Sequence, residues 1–115
     1  MLIKDISPLT VADCVKLLVN ALDDGIDHVP VLKLQVRGRD IVWLISESDP
    51  DYPDRLFGLC DLGTGDPEVG YFSLSEIRAV TERLGFPFER DMHFVADKPL
   101  SAFAAEAREK GRIIA

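Results

Sequence analysis

Apolar residues recur along this chain with two different periods, and the switches between them mark out its elements. Val11, Val15, Leu18 and Leu22 follow helical spacing, joined by Leu17 and Ala21. Thr10 precedes the run and Asp13 follows three residues later, a capping-box arrangement. Gly25 is expected to end the helix as a left-handed cap. From Val29 to Val36 the period becomes two. Leu32, Leu34 and Val36 alternate there with Lys33, Gln35 and Arg37, which predicts a half-buried strand with one wet face. "RGRD" (Arg37 to Asp40) is a turn, and Asp40 to Glu47 is a second strand. Ile41, Trp43 and Ile45 lie on one side of it, with Val42 and Leu44 on the other. The two strands are expected to form an antiparallel hairpin.

Pro50 and Pro53 block further pairing in "SESDPDYPDR", which reads as a loop. Leu56 to Leu62 and Val69 to Phe72 are predicted strands joined by "GTGDPE". Ser73 and Glu76 form a capping box for a second helix. Its predicted stripe is Leu74, Ile77, Val80 and Leu84, and Gly85 stops it. "FPFERDMHF" reads as extended. Asp97 is expected to cap a third helix with Pro99 in its first turn and Leu100, Phe103, Ala104 and Ala107 on one face, ending near Gly111. The order α-β-β-β-β-α-(β)-α implies an α+β fold. An antiparallel sheet of four to five strands would carry three helices, expected on one face. At 115 residues the chain is read as a single domain, 1–115, opening with a helical segment over 1–28.

Charge changes the picture more than composition does. The net charge is −7, and residues 47–72 hold seven acids against Arg55 alone. This acidic middle segment repels phosphate backbones and suits a basic partner or a divalent cation. It serves equally well as a solvated face. Lys33, Arg37 and Arg39 make only a small basic footprint, so direct nucleic-acid binding is not expected. No apolar run is long enough to span a bilayer, and the N-terminus lacks a secretory leader pattern. No membrane role and a cytoplasmic location are therefore expected. Cys14 and Cys60 lie among apolar residues without metal-ligand spacing and are read as buried reduced thiols.

Three stretches invite a chemical reading. "LFGLCDLGTGDPEVGYFSL" has the first two glycines of a dinucleotide fingerprint, Gly63 and Gly65, but Glu68 occupies the third position and no helix follows directly. Asp61, Asp66 and Glu68 would repel phosphate. The loop is therefore read as a hairpin tip that uses positive φ, with close approach or bulges expected at Gly58 and Gly70. In "ERDMHF", an extended backbone would place Glu89, Asp91 and His93 on one side. That set suits metal ligation or acid–base work, completed by Asp61 or Glu68. Pairing of Asp91 with His93, or of Arg90 with an acid, fits the same residues. Glu47, Asp49 and Asp51 alternate like calcium ligands, but no EF-hand glycine or glutamate follows, so an Asp/Pro turn is expected. Trp43 and Tyr71 are core residues unless exposed, in which case they become binding anchors.

Taken jointly, "VLKL", "WLISESDPD", "LFGLCDLGTGDPEVGYFSLSE", "GFPFERDMHF" and "DKPLSAFAAEAREKGRI" resemble the bacterial family called domain of unknown function 2958. The resemblance runs from Val31 to Ile113 and leaves the first thirty residues outside. It implies a setting in plasmids and other mobile DNA. It brings no established activity and no catalytic residue. Its shared positions include Trp43, Glu47, Asp49, Gly58, Gly63, Glu68, Tyr71, Glu89, Arg90, Asp91 and His93. Relatives often carry cysteine where this chain has Asp66.

Two functions follow as expectations. One is a non-enzymatic accessory module that binds a protein partner, for example a basic nucleic-acid-handling protein of host defence, with no cofactor. Its surface would draw on Trp43, Glu47, Asp61, Glu68, Tyr71, Glu89, Arg90, Asp91 and His93. The alternative is a small metal-binding domain or metal-dependent hydrolase, with a divalent metal at Glu89, Asp91 and His93.

Overall fold

The computed structural model describes residues 8–23 and 25–115. Met1 to Ser7, read above for a leader, lie outside the described residues. The elements are α1 (Val11–Leu22), β1 (Leu32–Val36), β2 (Ile41–Ser48), β3 (Arg55–Asp61), β4 (Glu68–Ser73), α2 (Leu74–Leu84), β5 (Phe88–Arg90) and α3 (Leu100–Lys110). This is the α+β order expected. The strands form one antiparallel sheet in the order β4-β3-β2-β1-β5. Among the described residues no helix is long and apolar enough to cross a membrane.

The helices do not share one face, which corrects the expectation. α1 and α2 cover one side, where Leu17, Leu34, Trp43, Ile45, Leu56 and Ile77 form the larger core. α3 covers the other, packing Leu100, Phe103, Ala104 and Ala107 against Leu44 and Leu59. The physical reason lies in β2. Val42 and Leu44 are as apolar as Ile41, Trp43 and Ile45, so both faces of the central strand need cover. The predicted wet face of β1 is covered in part, with Gln35 half-buried and Arg37 exposed. Lys33 is buried there, and its ammonium donates to the Ala115 carbonyl at 2.9 Å and pairs with Asp91 at 3.4 Å. A buried lysine stays charged at low cost only when its donors find such acceptors.

Local chemistry explains most element ends. Thr10 and Asp13 form the expected capping box, although α1 ends at Asp23 rather than at Gly25. Ser73 Oγ accepts from the Glu76 N–H, and Gly85 closes α2 with a left-handed φ of 74°. Gly63 and Gly65 take positive φ at the β3–β4 tip, as a tight reversal requires. At Gly58 an added Cβ would sit 1.9 Å from the Leu44 carbonyl oxygen, so β2 and β3 approach too closely there for any side chain. Gly70 has open space and makes no such approach. Asp97 does not cap α3; its N-cap is Pro99, with no side-chain bond.

Two predicted stripes point differently from expectation. In α2, Thr81 is buried beside Leu74 and Ile77, while Val80 and Leu84 are exposed. In α1, Val11, Val15 and Leu22 face outward, and the buried positions are Asp13 and Leu17. Polar contacts set that rotation. Arg90 clasps the Asp13 carboxylate with both terminal nitrogens. Asn20 donates to the Ser46 carbonyl at 3.0 Å, where the β2–β3 register shifts between Ile45 and Glu47.

Candidate functional site

The residues expected to act together lie at opposite ends of the sheet. β5 carries Glu89 and Arg90 at one edge; β4 carries Glu68 and Tyr71 at the other, with three strands between them. Asp61, Glu68 and Tyr71 therefore do not face "ERDMHF" across a cleft. Asp61 is buried: it accepts from the Gly63 N–H at 2.9 Å and from the Ile113 N–H at 3.0 Å. It ties the C-terminal segment to the end of β3. Trp43 is buried in the core, and Glu47 is half-buried on β2 opposite Phe57.

The β5 residues are each engaged structurally. Arg37 forks onto Glu89 at 3.0 and 3.1 Å. Arg90 is committed to Asp13. Burial alone would raise the Asp13 carboxyl, but its bonds from Arg90 and Thr10 outweigh that and hold it below the ordinary carboxylate range. Asp91 accepts from the His93 backbone N–H at 2.9 Å and pairs with Lys33. The His93 backbone bond, reinforced by Lys33, lowers its carboxyl despite some opposing desolvation. His93 itself is exposed in a turn. Among the described residues no three His, Cys, Asp or Glu side chains group as metal ligands. The contacts that form here join Glu89 to Arg37, Arg90 to Asp13 and Asp91 to Lys33.

Open chemistry is concentrated at the opposite edge. β4 pairs with β3 on one side, and no described strand pairs with its other side. Tyr71 is 61% exposed, its ring 5.0 Å from that of Phe57 between centroids and tilted to it by 58°. The Arg55 guanidinium lies 4.1 Å over the Tyr71 ring and reaches Asp49 at 3.7 Å. Asp49 also caps its own loop by accepting from Asp51 and Tyr52, the Asp/Pro turn predicted from sequence. A groove of about 390 Å³ runs past Tyr52, Asp54, Arg55, Tyr71, Ser73 and Glu76. Asp51, Asp54, Glu76, Asp66 and Glu68 are all exposed around this edge, so carboxylates flank it at both ends. Arg55 is turned onto Tyr71 and Asp49, which leaves its charge largely answered.

Sequence reasoning named Tyr71 and Glu68 here but missed Tyr52, Asp54, Arg55 and Glu76. The signal available was the spacing across the β3–β4 hairpin, which opposes Phe57 to Tyr71 and Arg55 to Ser73. Cys60 lies on β3 opposite Glu68. Burial pushes its thiol up to about 11, and the carboxylates of Asp61, Glu68 and Glu76 add to the rise, against a Trp43 contact that lowers it. It is a poor nucleophile at neutral pH. Cys14 is raised by burial and by Asp13, and both cysteines are free.

No curated protein and no solved structure matches this chain. A family model described as "Protein of unknown function (DUF2958)" matches residues 9–114. The match takes in α1, which the motif resemblance had left outside, and with it both partners of the Asp13–Arg90 pair. Covering nearly the whole chain, it establishes that the protein belongs to this family.

Proposed function

We propose that this protein is a non-enzymatic binding module of bacterial mobile DNA that receives an extended, basic segment of a protein partner along β4. The observation that carries this reading is the β4 edge that no described strand pairs, with exposed Tyr71 at its centre and carboxylates at both ends. A free strand edge offers backbone donors and acceptors to an incoming strand. The aromatic ring supplies contact area at low conformational cost. Asp51, Asp54 and Glu76 at one end, with Asp66 and Glu68 at the other, select cations and discourage phosphate. A basic nucleic-acid-handling protein presents such segments, and an acidic module seated on one would compete with its nucleic acid.

The probe for this reading is a labelled strand-forming peptide of alternating lysine and valine, with a glutamate–valine peptide as control. Fluorescence anisotropy is expected to show binding of the lysine peptide alone, weakening as salt rises. Glu68→Lys and Tyr71→Ala are each expected to weaken it by about tenfold. Equal affinity for both peptides, or undiminished binding by both variants, would overturn the reading.

A further inference from the structure

Arg55 opens β3 beside the residue at the centre of the β4 edge. Its guanidinium lies 4.1 Å over the Tyr71 ring and reaches the Asp49 carboxylate at 3.7 Å. These contacts answer its charge, but neither holds it firmly. The ion pair is longer than a hydrogen bond, and the Arg55 side chain is half-exposed. Asp49 is also engaged elsewhere, since its other oxygen accepts from the backbone amides of Asp51 and Tyr52. The ring face that an incoming cation would use is therefore occupied by a cation of the chain itself. Beside it, the groove of about 390 Å³ presents a second exposed tyrosine, Tyr52, and the carboxylates of Asp54 and Glu76.

We infer that Arg55 is a built-in competitor at this edge, and that the partner's segment displaces it by seating an arginine of its own on Tyr71. The inference rests on the β4 reading and names the partner side chain which that reading left open. Three observations carry it. First, Arg55 shows that the Tyr71 ring face accepts a guanidinium, well inside the distance of about 6 Å over which a ring attracts a cation. A guanidinium suits the place better than an ammonium, because its plane packs on a ring while its edge donates to carboxylates. Second, the groove supplies those carboxylates in Asp54 and Glu76, a fuller set of acceptors than the one long contact that Asp49 gives Arg55. The Ser75 hydroxyl donates to one oxygen of Asp54 at 2.8 Å and fixes that carboxylate at the groove. Third, the exchange needs no movement of the main chain. The Arg55 N–H donates to the Tyr52 carbonyl at 2.8 Å and its carbonyl accepts from the Asp49 N–H at 2.9 Å, so the side chain alone turns away. Occupancy by Arg55 lowers affinity for every basic segment and favours those with an arginine opposite Tyr71.

The experiment compares the lysine–valine peptide with an arginine–valine peptide of the same length and charge, by fluorescence anisotropy. The proteins are the parent, Arg55→Gln, Tyr71→Ala and the double variant, with circular dichroism to confirm folding. The parent is expected to bind the arginine peptide about threefold more tightly than the lysine peptide. Arg55→Gln is expected to tighten the arginine peptide by about fivefold, but by less than about twofold in the Tyr71→Ala background. An equal gain in both backgrounds means that only a repelling charge was removed, and it overturns the inference. No gain, or binding of the lysine peptide as tight as that of the arginine peptide, also overturns it. A second readout needs no variant. By NMR, the Arg55 side-chain protons of the free parent are expected to carry a ring-current shift from Tyr71 that vanishes at saturation with the arginine peptide. A shift retained in the complex overturns the inference alone, because the bound peptide leaves the β4 reading standing. Failure of both peptides to bind the parent and Arg55→Gln overturns the two together.

Discussion

The outer ridge of α1 and the free edge at β4 are both open to solvent, yet different devices hold them there. The ridge is purely apolar, and the helix that bears it is turned outward by polar contacts on its inner side. The β4 edge is the last described strand of the sheet on that side, and its chemistry is mixed: one aromatic ring against Phe57, with carboxylates at both ends. A contact made through the first surface carries no charge for salt to screen. The second loses with salt, because attraction to a basic segment is what salt weakens. Salt therefore separates the two surfaces: only a contact along β4 is expected to weaken as ionic strength rises.

The largest way to break the contrast is to remove what turns α1. Asp13→Ala deletes the helix-capping acceptor and leaves Arg90 half-buried without its partner. Denaturant unfolding is expected to show a loss of about 3 kcal/mol. A loss below about 1 kcal/mol would show that apolar contacts alone set the rotation, and that the ridge is outward for another reason.

Acid titration sharpens the same point. The Asp13 and Asp91 carboxyls are held below their ordinary range in the folded protein. Their contribution is fully present above the unfolded carboxylate value of about 3.9 and is lost as pH falls through the lower folded values. The stability gap between the parent protein and Asp13→Asn is therefore expected to narrow between about pH 5 and about pH 2. A constant gap across that range would contradict the assignment.

The smallest effect belongs to the other surface. Tyr71 is mostly exposed and makes one ring contact with Phe57 and one with Arg55. Tyr71→Ala is expected to cost about 1 kcal/mol or less in stability, measured by the same unfolding curves. A cost near that of Asp13→Ala would make Tyr71 a structural residue and remove the anchor from the β4 edge.

What the sequence made legible follows from how local each signal is. The α3 stripe of Leu100, Phe103, Ala104 and Ala107 is buried as expected, because that helix has a single apolar face. The hairpin tip at Gly63 and Gly65 was readable because turn chemistry is contained in a few adjacent residues. α1 was not readable in the same way. It has apolar residues on two sides, Leu17 on one and the valine row on the other, and periodicity cannot choose between them. The choice is made by Asp13 with Arg90, 77 residues away, and by Asn20 with Ser46, 26 residues away. The burial of Asp61 depends likewise on Ile113, 52 residues further on. The carboxylate–histidine set in "ERDMHF" was a correct reading of local alternation for Glu89 and Asp91, whose partners Arg37 and Lys33 share one side of β1. The turn after β5 then takes His93 out of the strand.

The most direct test of the central claim is residue-resolved. Isotope-labelled protein would be titrated with the lysine–valine peptide while backbone amide shifts and hydrogen exchange are followed by NMR. The account predicts that the amides of Glu68 to Ser73 shift and become protected while those of Val11 to Leu22 do not change. Shifts confined to α1, or scattered over the acidic loops without protection along β4, would contradict it.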